Sequence, residues 1–228
     1  MNIFTPRKQL KLIILGDENV GKTTIISKYT NFDYSNSINF QFYSKIIKNL
    51  ENKDIKVNIW DTKGHMSFNQ ICNSYIKDSN AFIIVFDITN PKSFYNITFW
   101  LNKIKENNRN NLNKEYYPIL LIGNKNDLNI NREIYFEEAK KFALYNKLLY
   151  CEITKENSDK INLLLDTYLN LIYNINSEEN NDLNYQNIFF KNEENKLPVT
   201  KSIENLTLLN NQYKNKTCKN CQNICEIL

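Results

Sequence analysis

The chain has 228 residues, 42% of them hydrophobic and 13% aromatic, which suffices for one well-buried domain with an extension and does not require two. Its net charge of +4 arises from interspersed basic and acidic residues, a pattern that gives no footprint for nucleic acid. No apolar run approaches the length of about 18 residues that a membrane-spanning helix needs, and residues 1–7 lack the apolar core of a signal peptide. We therefore expect a cytosolic protein.

Predicted strands and helices alternate along most of the chain. Apolar or alternating runs predict strands over 10–15, 41–50, 55–60, 81–86, 118–123 and 148–153. Helical spacing and start signals predict helices from 24 onward and over 68–77, 91–104, 135–145 and 161–175. This order predicts an α/β fold, a doubly wound, mostly parallel six-stranded sheet with one antiparallel edge hairpin. Because the periodic spacing of apolar residues fades after about residue 175, we expect a domain over 1–175 and a disordered tail over 176–228.

A phosphate-binding loop is indicated between the first strand and the first helix. The sequence there follows the pattern GxxxxGK[ST], in which backbone N–H groups of the loop and helix N-terminus converge on an anion. Gly21 lets the backbone approach, Lys22 reaches the outer phosphates, and the Thr23 hydroxyl is placed for Mg²⁺. The alternative is an ordinary turn whose lysine faces solvent. The predicted nucleotide contacts in this segment are Gly16, Asp17, Glu18, Asn19, Val20, Gly21, Lys22, Thr23 and Thr24.

A second loop, Asn124-Lys125-Asn126-Asp127, follows another buried strand and predicts recognition of a purine base. The Asp127 carboxylate can accept hydrogen bonds from N1–H and the 2-amino group of guanine, a pair of donors that adenine does not offer. Asn124 and Lys125 would brace the loop and cover the base. An ordinary polar turn is the alternative. With the phosphate loop, this pattern favours a guanine nucleotide and disfavours a kinase of small molecules.

Four further motifs stand in the same order as in a known family. They are Ile59-Trp60-Asp61-Thr62, Ser74-Tyr75-Ile76-Lys77, Val85-Phe86-Asp87-Ile88-Thr89 and Trp100-Leu101. With both loops, they make residues 8–175 resemble a Rab-like small GTPase of the Ras superfamily. The resemblance implies GTP or GDP and Mg²⁺ as ligands. It also implies a monomer that works with effector proteins, an exchange factor and a prenyl-binding escort.

The resemblance assigns roles to residues that match the family pattern. It implies contacts from Lys22 to the outer phosphates and a Gly64 N–H that reports the γ-phosphate. The implied metal ligands are Thr23, Ser37 and Asp61, with Asp61 acting through water. The implied guanine contacts are Asn124, Lys125, Asp127, Thr154 and Lys155, the last two at the position of the family's SAK motif.

Two departures from the family pattern bear on hydrolysis. His65 replaces the glutamine that orients the attacking water, and one imidazole tautomer can perform only one of the two tasks of that amide. We therefore expect catalysis by His65, Gly64 and Lys22 to be slow; a His65 aligned by a partner and an inert surface His65 are the alternatives. Ser37 keeps the hydroxyl of a family threonine, but the loop before it is short and Asn39 replaces a glycine. For Ser37 the alternative is a simple loop serine. His65, the short loop and Asn39 together support a rival function, a non-cycling pseudo-GTPase that acts as a nucleotide-stabilised interaction scaffold.

The chain ends in Cys225-Glu226-Ile227-Leu228, which fits the C-a-a-X pattern for geranylgeranylation of Cys225. Three lysines lie just upstream, and Cys218 or Cys221 could accept a second lipid, which stable membrane anchoring requires. A chance cysteine and half of a zinc site are the alternatives. Lipidation predicts a protein on the cytoplasmic face of an endomembrane, in vesicle traffic.

Overall fold

The computed structural model describes residues 9–31, 41–49, 52–62, 69–107, 119–154 and 158–177. Six strands in these ranges form one sheet, in the order β2-β3-β1-β4-β5-β6. They are β1 Gln9–Leu15, β2 Gln41–Lys48, β3 Asp54–Asp61, β4 Ala81–Asp87, β5 Ile119–Asn124 and β6 Leu149–Glu152. All pairs are parallel except β2 with β3. The predicted doubly wound sheet with an antiparallel edge hairpin is therefore confirmed.

Six α-helices and one 3₁₀ helix connect these strands within the described ranges. They are α1 Lys22–Thr30, α2 Asn69–Ile76, α3 Pro91–Tyr95, α4 Ile97–Asn107, the 3₁₀ helix Asn126–Asn131, α5 Phe136–Tyr145 and α6 Ser158–Ser177. In that part of the chain, no helix combines the length and the apolar character needed to cross a membrane.

The helix predicted from Pro91 onward is in fact two helices, so that prediction was wrong at one point. α3 begins as expected, with Pro91 in its first turn and the Asn90 side chain accepting a hydrogen bond from the backbone N–H of Lys92. It ends at Tyr95, Asn96 caps its C-terminus, and α4 begins at Ile97. The apolar spacing continues across the break, because Phe94, Ile97, Trp100 and other buried residues of both helices still face the sheet. The periodicity alone therefore did not reveal the division.

The central strands are buried because helices cover both faces of the sheet. Along β1, Leu12 and Ile14 point to the side that α1 and α6 cover, whereas Ile13 and Leu15 point to the side of α3, α4 and α5. Every residue of β4 is buried, as expected of a parallel strand between two layers of helices. Cys151 of β6 lies in the first of these cores, and burial raises the pKa of its thiol. It therefore packs as a small, uncharged side chain.

The phenol of Tyr168 ties α6 to the beginning of β4 inside the core. Its hydroxyl donates to the carbonyl oxygen of Phe82 at 2.9 Å and accepts from the N–H of the same residue at 3.2 Å. Tyr168 is fully buried. One hydroxyl therefore serves two backbone groups where β5 joins the sheet opposite Phe82.

We predict that Tyr168→Phe lowers the free energy of unfolding by about 1–3 kcal/mol, because it removes both bonds without changing the packing of the ring. Urea unfolding of the nucleotide-loaded protein, followed by circular dichroism, measures this. Tyr135→Phe is the matched control, since Tyr135 is 68% exposed and should change stability little. Equal stability of Tyr168→Phe and wild type would contradict the prediction.

Candidate functional site

The loops that carry the predicted motifs meet at one edge of the sheet. β1, β3, β4, β5 and β6 run in the same direction, so the segments that follow their carboxyl ends lie side by side. In open α/β sheets this edge is where ligands bind. The candidate site is built here, from the loop after β1, the end of β3 and the loop after β5.

The phosphate loop requires both of its glycines. Gly16 has φ +134° and Gly21 has φ +94°, values that L side chains rarely adopt. A Cβ at Gly16 would overlap the carbonyl oxygen of Val85, and one at Gly21 would overlap the side-chain amide of Asn124. The loop therefore packs directly on β4 and on the base-recognition loop, with no space for a side chain at either contact.

Lys22 does not face solvent, so the alternative of an ordinary turn with an exposed lysine is not what the structure contains. Its side chain is buried, and its ammonium donates to the carbonyl oxygens of Gly16 at 2.9 Å and Asp17 at 2.5 Å. The ammonium group of Lys22 thus contacts the first two residues of the loop. An ammonium held in this way is prepared to meet an anion in the concave side of the loop.

Asp17 was expected among the nucleotide contacts, but its carboxylate turns toward α3 and α4. It accepts hydrogen bonds from the Asn96 side chain at 2.6 Å and from the Trp100 indole N–H at 3.0 Å. Only the backbone of Asp17 is left to act in the loop, where its carbonyl oxygen holds Lys22. Trp100 stood out in the sequence as part of a motif, but nothing in the sequence indicated its partner.

Thr23 and Asp61 lie together where β3 ends beside the phosphate loop. The Asp61 carboxylate is buried, its Oδ1 has no hydrogen-bond partner in the described part of the chain, and the Thr23 hydroxyl bonds to the carboxylate. Burial raises the pKa of Asp61, against the opposing effects of the Thr23 hydrogen bond and the nearby Lys22 charge. A buried oxygen without a partner beside a hydroxyl suits a hard cation such as Mg²⁺ or its water shell. The donor set therefore fits the predicted metal.

No cluster of three His, Cys, Asp or Glu side chains that could hold a metal exists within the described ranges. Thr23 and Asp61 supply two ligand groups, so a cation there would take further oxygens from the phosphates, from water and, as predicted, from Ser37. This is the usual situation for Mg²⁺ bound with a nucleotide, because the ion keeps several waters and relies on phosphates. The Thr62 hydroxyl donates to the carbonyl oxygen of Ile14 at 2.8 Å and fixes the chain where it leaves β3.

The base-recognition loop is joined to the phosphate loop by one buried side chain. The side-chain N–H of Asn124 donates to the carbonyl oxygen of Val20 at 2.8 Å. The backbone carbonyl oxygen of Asn124 accepts a hydrogen bond from the backbone N–H of Ile88 at 3.2 Å. Lys125 follows with φ 69°, and its ammonium lies 2.6 Å from a carboxylate oxygen of Asp87. Asp127 is exposed, and in the described part of the chain nothing pairs with its carboxylate. An exposed carboxylate at this place suits the acceptor role predicted for Asp127.

Arg132 and Glu152 support this loop, and neither was predicted. The guanidinium binds both carboxylate oxygens of Glu152, at 2.8 and 2.7 Å, and also donates to the Asn126 side chain at 2.7 Å. Glu152 raises the pKa of Arg132 further. Two backbone hydrogen bonds join the same two segments: the N–H of Ile153 donates to the carbonyl oxygen of Gly123 at 2.9 Å, and the N–H of Asn126 donates to that of Ile153 at 3.3 Å. The end of β6 and the base-recognition loop therefore form one unit, with Thr154 directly after it.

An aromatic strip lies on the outer side of the edge hairpin. Phe42 of β2, which is 52% exposed, contacts Trp60 of β3 with ring centroids 4.9 Å apart. Trp60 in turn contacts Tyr75 of α2 at 4.6 Å. The sequence analysis named Trp60 and Tyr75 only as parts of motifs and did not foresee this arrangement.

Five predicted residues lie outside the described ranges. They are Ser37, Gly64, His65, Lys155 and Cys225. Their predicted roles in metal binding, hydrolysis, base recognition and lipidation stay predictions. Asn39, Cys218 and Cys221 lie outside these ranges as well.

A phosphate loop with a buried lysine, a buried carboxylate beside it and the loop after β5 meet at the carboxyl edge of this sheet, which is the arrangement of P-loop nucleotide-binding proteins. Comparison with known proteins agrees. The Ras family profile matches residues 11–174. The chain is 34% identical over 167 residues to Ras-related protein Rab-11B of Dictyostelium discoideum, covering 72% of this chain and 73% of that protein. It is 33% identical over 164 residues to mouse Ras-related protein Rab-17, covering 69% and 72%.

The chain therefore belongs to the Ras family of small GTPases, and within that family it is Rab-like. Membership implies binding of GTP and GDP.

We predict that Gly21→Ala abolishes tight GDP binding, because the added methyl group would collide with Asn124 at a backbone conformation that alanine rarely adopts. Binding of a fluorescent GDP analogue to the purified variant measures this, with circular dichroism to verify folding. Glu18→Ala is the control in the same loop, because the substitution keeps the backbone N–H through which residue 18 is expected to act and removes only an exposed side chain. A folded Gly21→Ala protein that binds GDP as wild type does would refute the prediction.

Proposed function

We propose that this chain is a guanine-nucleotide switch that binds GTP or GDP with Mg²⁺ and, in its GTP form, engages effector proteins on a membrane. The observation that carries the proposal is the buried bond from Asn124 to Val20, which joins a phosphate-binding loop to a base-recognition loop. A ligand that uses both loops must have a purine-like base at one end and phosphates at the other. The proposed switch changes between two conformations because some protein contacts form only when the γ-phosphate is present.

In this proposal, each part of the site has one task. Lys22 and the backbone N–H groups of 16–24 bind the β- and γ-phosphates. Thr23, Asp61 and Ser37 would hold Mg²⁺, which when bound neutralises charge on the phosphate oxygens. The Gly64 N–H would detect the γ-phosphate. Thr154 and Lys155 would complete the base pocket beside the Arg132–Glu152 pair.

Guanine recognition rests on Asp127, whose exposed carboxylate has no partner in the described part of the chain. A carboxylate accepts two hydrogen bonds from guanine, whereas the NH₂ group of an amide would face one of the two N–H donors of guanine. Xanthine carries an oxygen in place of the 2-amino group, and so it suits an amide better.

We predict that Asp127→Asn weakens GDP binding by about 100-fold, the effect of losing hydrogen bonds to a charged group, and shifts preference toward xanthosine diphosphate. Competition of both nucleotides against fluorescent GDP measures the shift. Asp159→Asn, at an exposed position in the first turn of α6, is the matched control and should keep the preference for guanine. An unchanged preference in Asp127→Asn would show that the base is read elsewhere.

Hydrolysis is the weaker part of the proposed activity because of His65. A glutamine amide can accept a hydrogen bond from the attacking water and donate toward the γ-phosphate at once, whereas a neutral imidazole nitrogen does one or the other. We propose slow intrinsic hydrolysis, so that return to the GDP form depends on a partner. The non-cycling pseudo-GTPase is the second candidate, and it is favoured by His65 together with Asn39 and the short loop before Ser37.

We predict that His65→Gln accelerates single-turnover GTP hydrolysis by about tenfold or more, within the usual range for positioned proton-transfer groups. Release of γ-labelled phosphate from GTP-loaded protein measures the rate, and unchanged GDP affinity serves as the control. If wild type is already fast and His65→Gln is slower, His65 is itself catalytic. If both proteins are inert, the scaffold is the better account.

The aromatic strip of Phe42, Trp60 and Tyr75 supports the proposed binding of effectors. Phe42 is exposed, Trp60 and Tyr75 are partly buried, and aromatic side chains are enriched in protein-binding sites. The strip adjoins Asp61 and lies on β2, β3 and α2, the elements that flank the segments of Ser37 and His65. Changes at the nucleotide would therefore alter the surroundings of the strip.

We propose that residues 1–175 act as the GTPase domain and that 176–228 act as a tail anchored through a prenyl group on Cys225. The C-a-a-X ending and the upstream lysines support this. An exchange factor and a prenyl-binding escort would then be needed for cycling between cytosol and membrane. The Rab-named relatives support a place in vesicle traffic on an endomembrane.

A further inference from the structure

We propose that Asp87 is a positioning residue for guanine recognition, which acts by holding the Lys125 side chain in place beside the base. This inference rests on the proposed guanine site. Asp87 is the last residue of β4, and it pairs in register with Asn124, the last residue of β5. Lys125 therefore begins the base-recognition loop directly beside the Asp87 side chain.

The Asp87 carboxylate is itself held rigidly. Its side chain is only 8% exposed, and one of its oxygens accepts hydrogen bonds from both the backbone N–H of Thr89 at 2.9 Å and the Thr89 hydroxyl at 2.7 Å. The other oxygen lies 2.6 Å from the Lys125 ammonium. The backbone N–H of Asp87 donates to the Ser93 hydroxyl at 3.0 Å. Asp87 thus presents one oxygen to Lys125 in a single orientation.

A fixed ion-pair partner would order the Lys125 side chain before the ligand binds. It sits in the left-handed backbone conformation, with φ 69°, and 32% of its side chain is exposed. A lysine side chain is flexible, and ordering it only when ligand binds would weaken that binding. With its ammonium fixed by Asp87, the methylene groups form a ready surface against which a flat base can lie. The ion pair thereby prepares the pocket before the nucleotide arrives.

The competing explanation is that Asp87 stabilises the loop independently of Lys125, through its hydrogen bonds to Thr89 and Ser93. The two explanations differ in what happens when Lys125 is absent. If Asp87 acts through Lys125, its effect on the nucleotide must vanish without that lysine. If it acts on the loop in general, its effect must persist. A double-mutant cycle separates these cases.

The experiment measures dissociation of fluorescent GDP from the Mg²⁺-loaded full-length protein for Asp87→Asn, Lys125→Met and the double variant. Asparagine keeps an oxygen for Thr89 but can turn an amide N–H toward the ammonium, so we expect GDP release about tenfold to hundredfold faster. In the Lys125→Met background, the same change should add less than about twofold. Thr89→Val, which loosens the carboxylate but keeps its charge, should give an intermediate rate.

Asp54→Asn is the matched control. It breaks another aspartate–lysine pair, Lys48–Asp54 at 2.5 Å, on the hairpin of β2 and β3. GDP release from this variant should equal that of wild type. An equal acceleration by Asp87→Asn with and without Lys125 would overturn the inference, and so would no acceleration by Asp87→Asn when Lys125→Met is fast. If Lys125→Met itself releases GDP at the wild-type rate, the proposed guanine site fails together with the inference.

Discussion

The hydrogen bond from the Asn124 side chain to the Val20 carbonyl oxygen is the constraint on which the site depends. Asn124 ends β5 and Val20 lies in the loop after β1, so this bond reaches across the end of β4, which separates the two strands. Gly21 makes it possible, because any Cβ there would occupy the position of the amide. One buried side chain therefore sets the spacing between the phosphate loop and the base-recognition loop, and with it the length of ligand that fits.

The second constraint is electrostatic. A site for a polyphosphate should repel carboxylates, yet Asp17, Asp61 and Asp87 all lie at this edge of the sheet. Asp17 is turned outward and bound by neutral donors of α3 and α4, and Asp87 is neutralised by Lys125. Asp61 alone keeps an oxygen without a partner in the described part of the chain. The site thus withdraws two negative charges from the phosphates and leaves the third where a cation would neutralise it.

The sequence allowed the sheet to be predicted because its strands are long apolar runs and its hairpin alternates, and both are local patterns. It also allowed the two loops to be placed, since each directly follows such a run. The break between α3 and α4 at Asn96 could not be predicted, because the apolar spacing continues across it. The partners of Asp17, Lys125 and Glu152 were missed for a different reason. They are separated along the chain, up to 83 positions for Asp17 and Trp100, and no periodicity encodes such contacts.

Binding and hydrolysis are separable in this architecture. The groups that bind the phosphates and the base are fixed by buried contacts of the scaffold, such as those of Lys22 and Asn124. The residues proposed to act in hydrolysis, Ser37 and His65, belong to segments that join scaffold elements. The second of these segments starts after Thr62, anchored to β1, and ends at α2, where Asn73 accepts a hydrogen bond from Asn107 of α4 at 3.0 Å. Because both ends of the segment are anchored, we expect the proposed effect of His65 on hydrolysis to leave nucleotide affinity unchanged. A member of this family can therefore keep its binding of GTP and GDP and lose its intrinsic rate of hydrolysis.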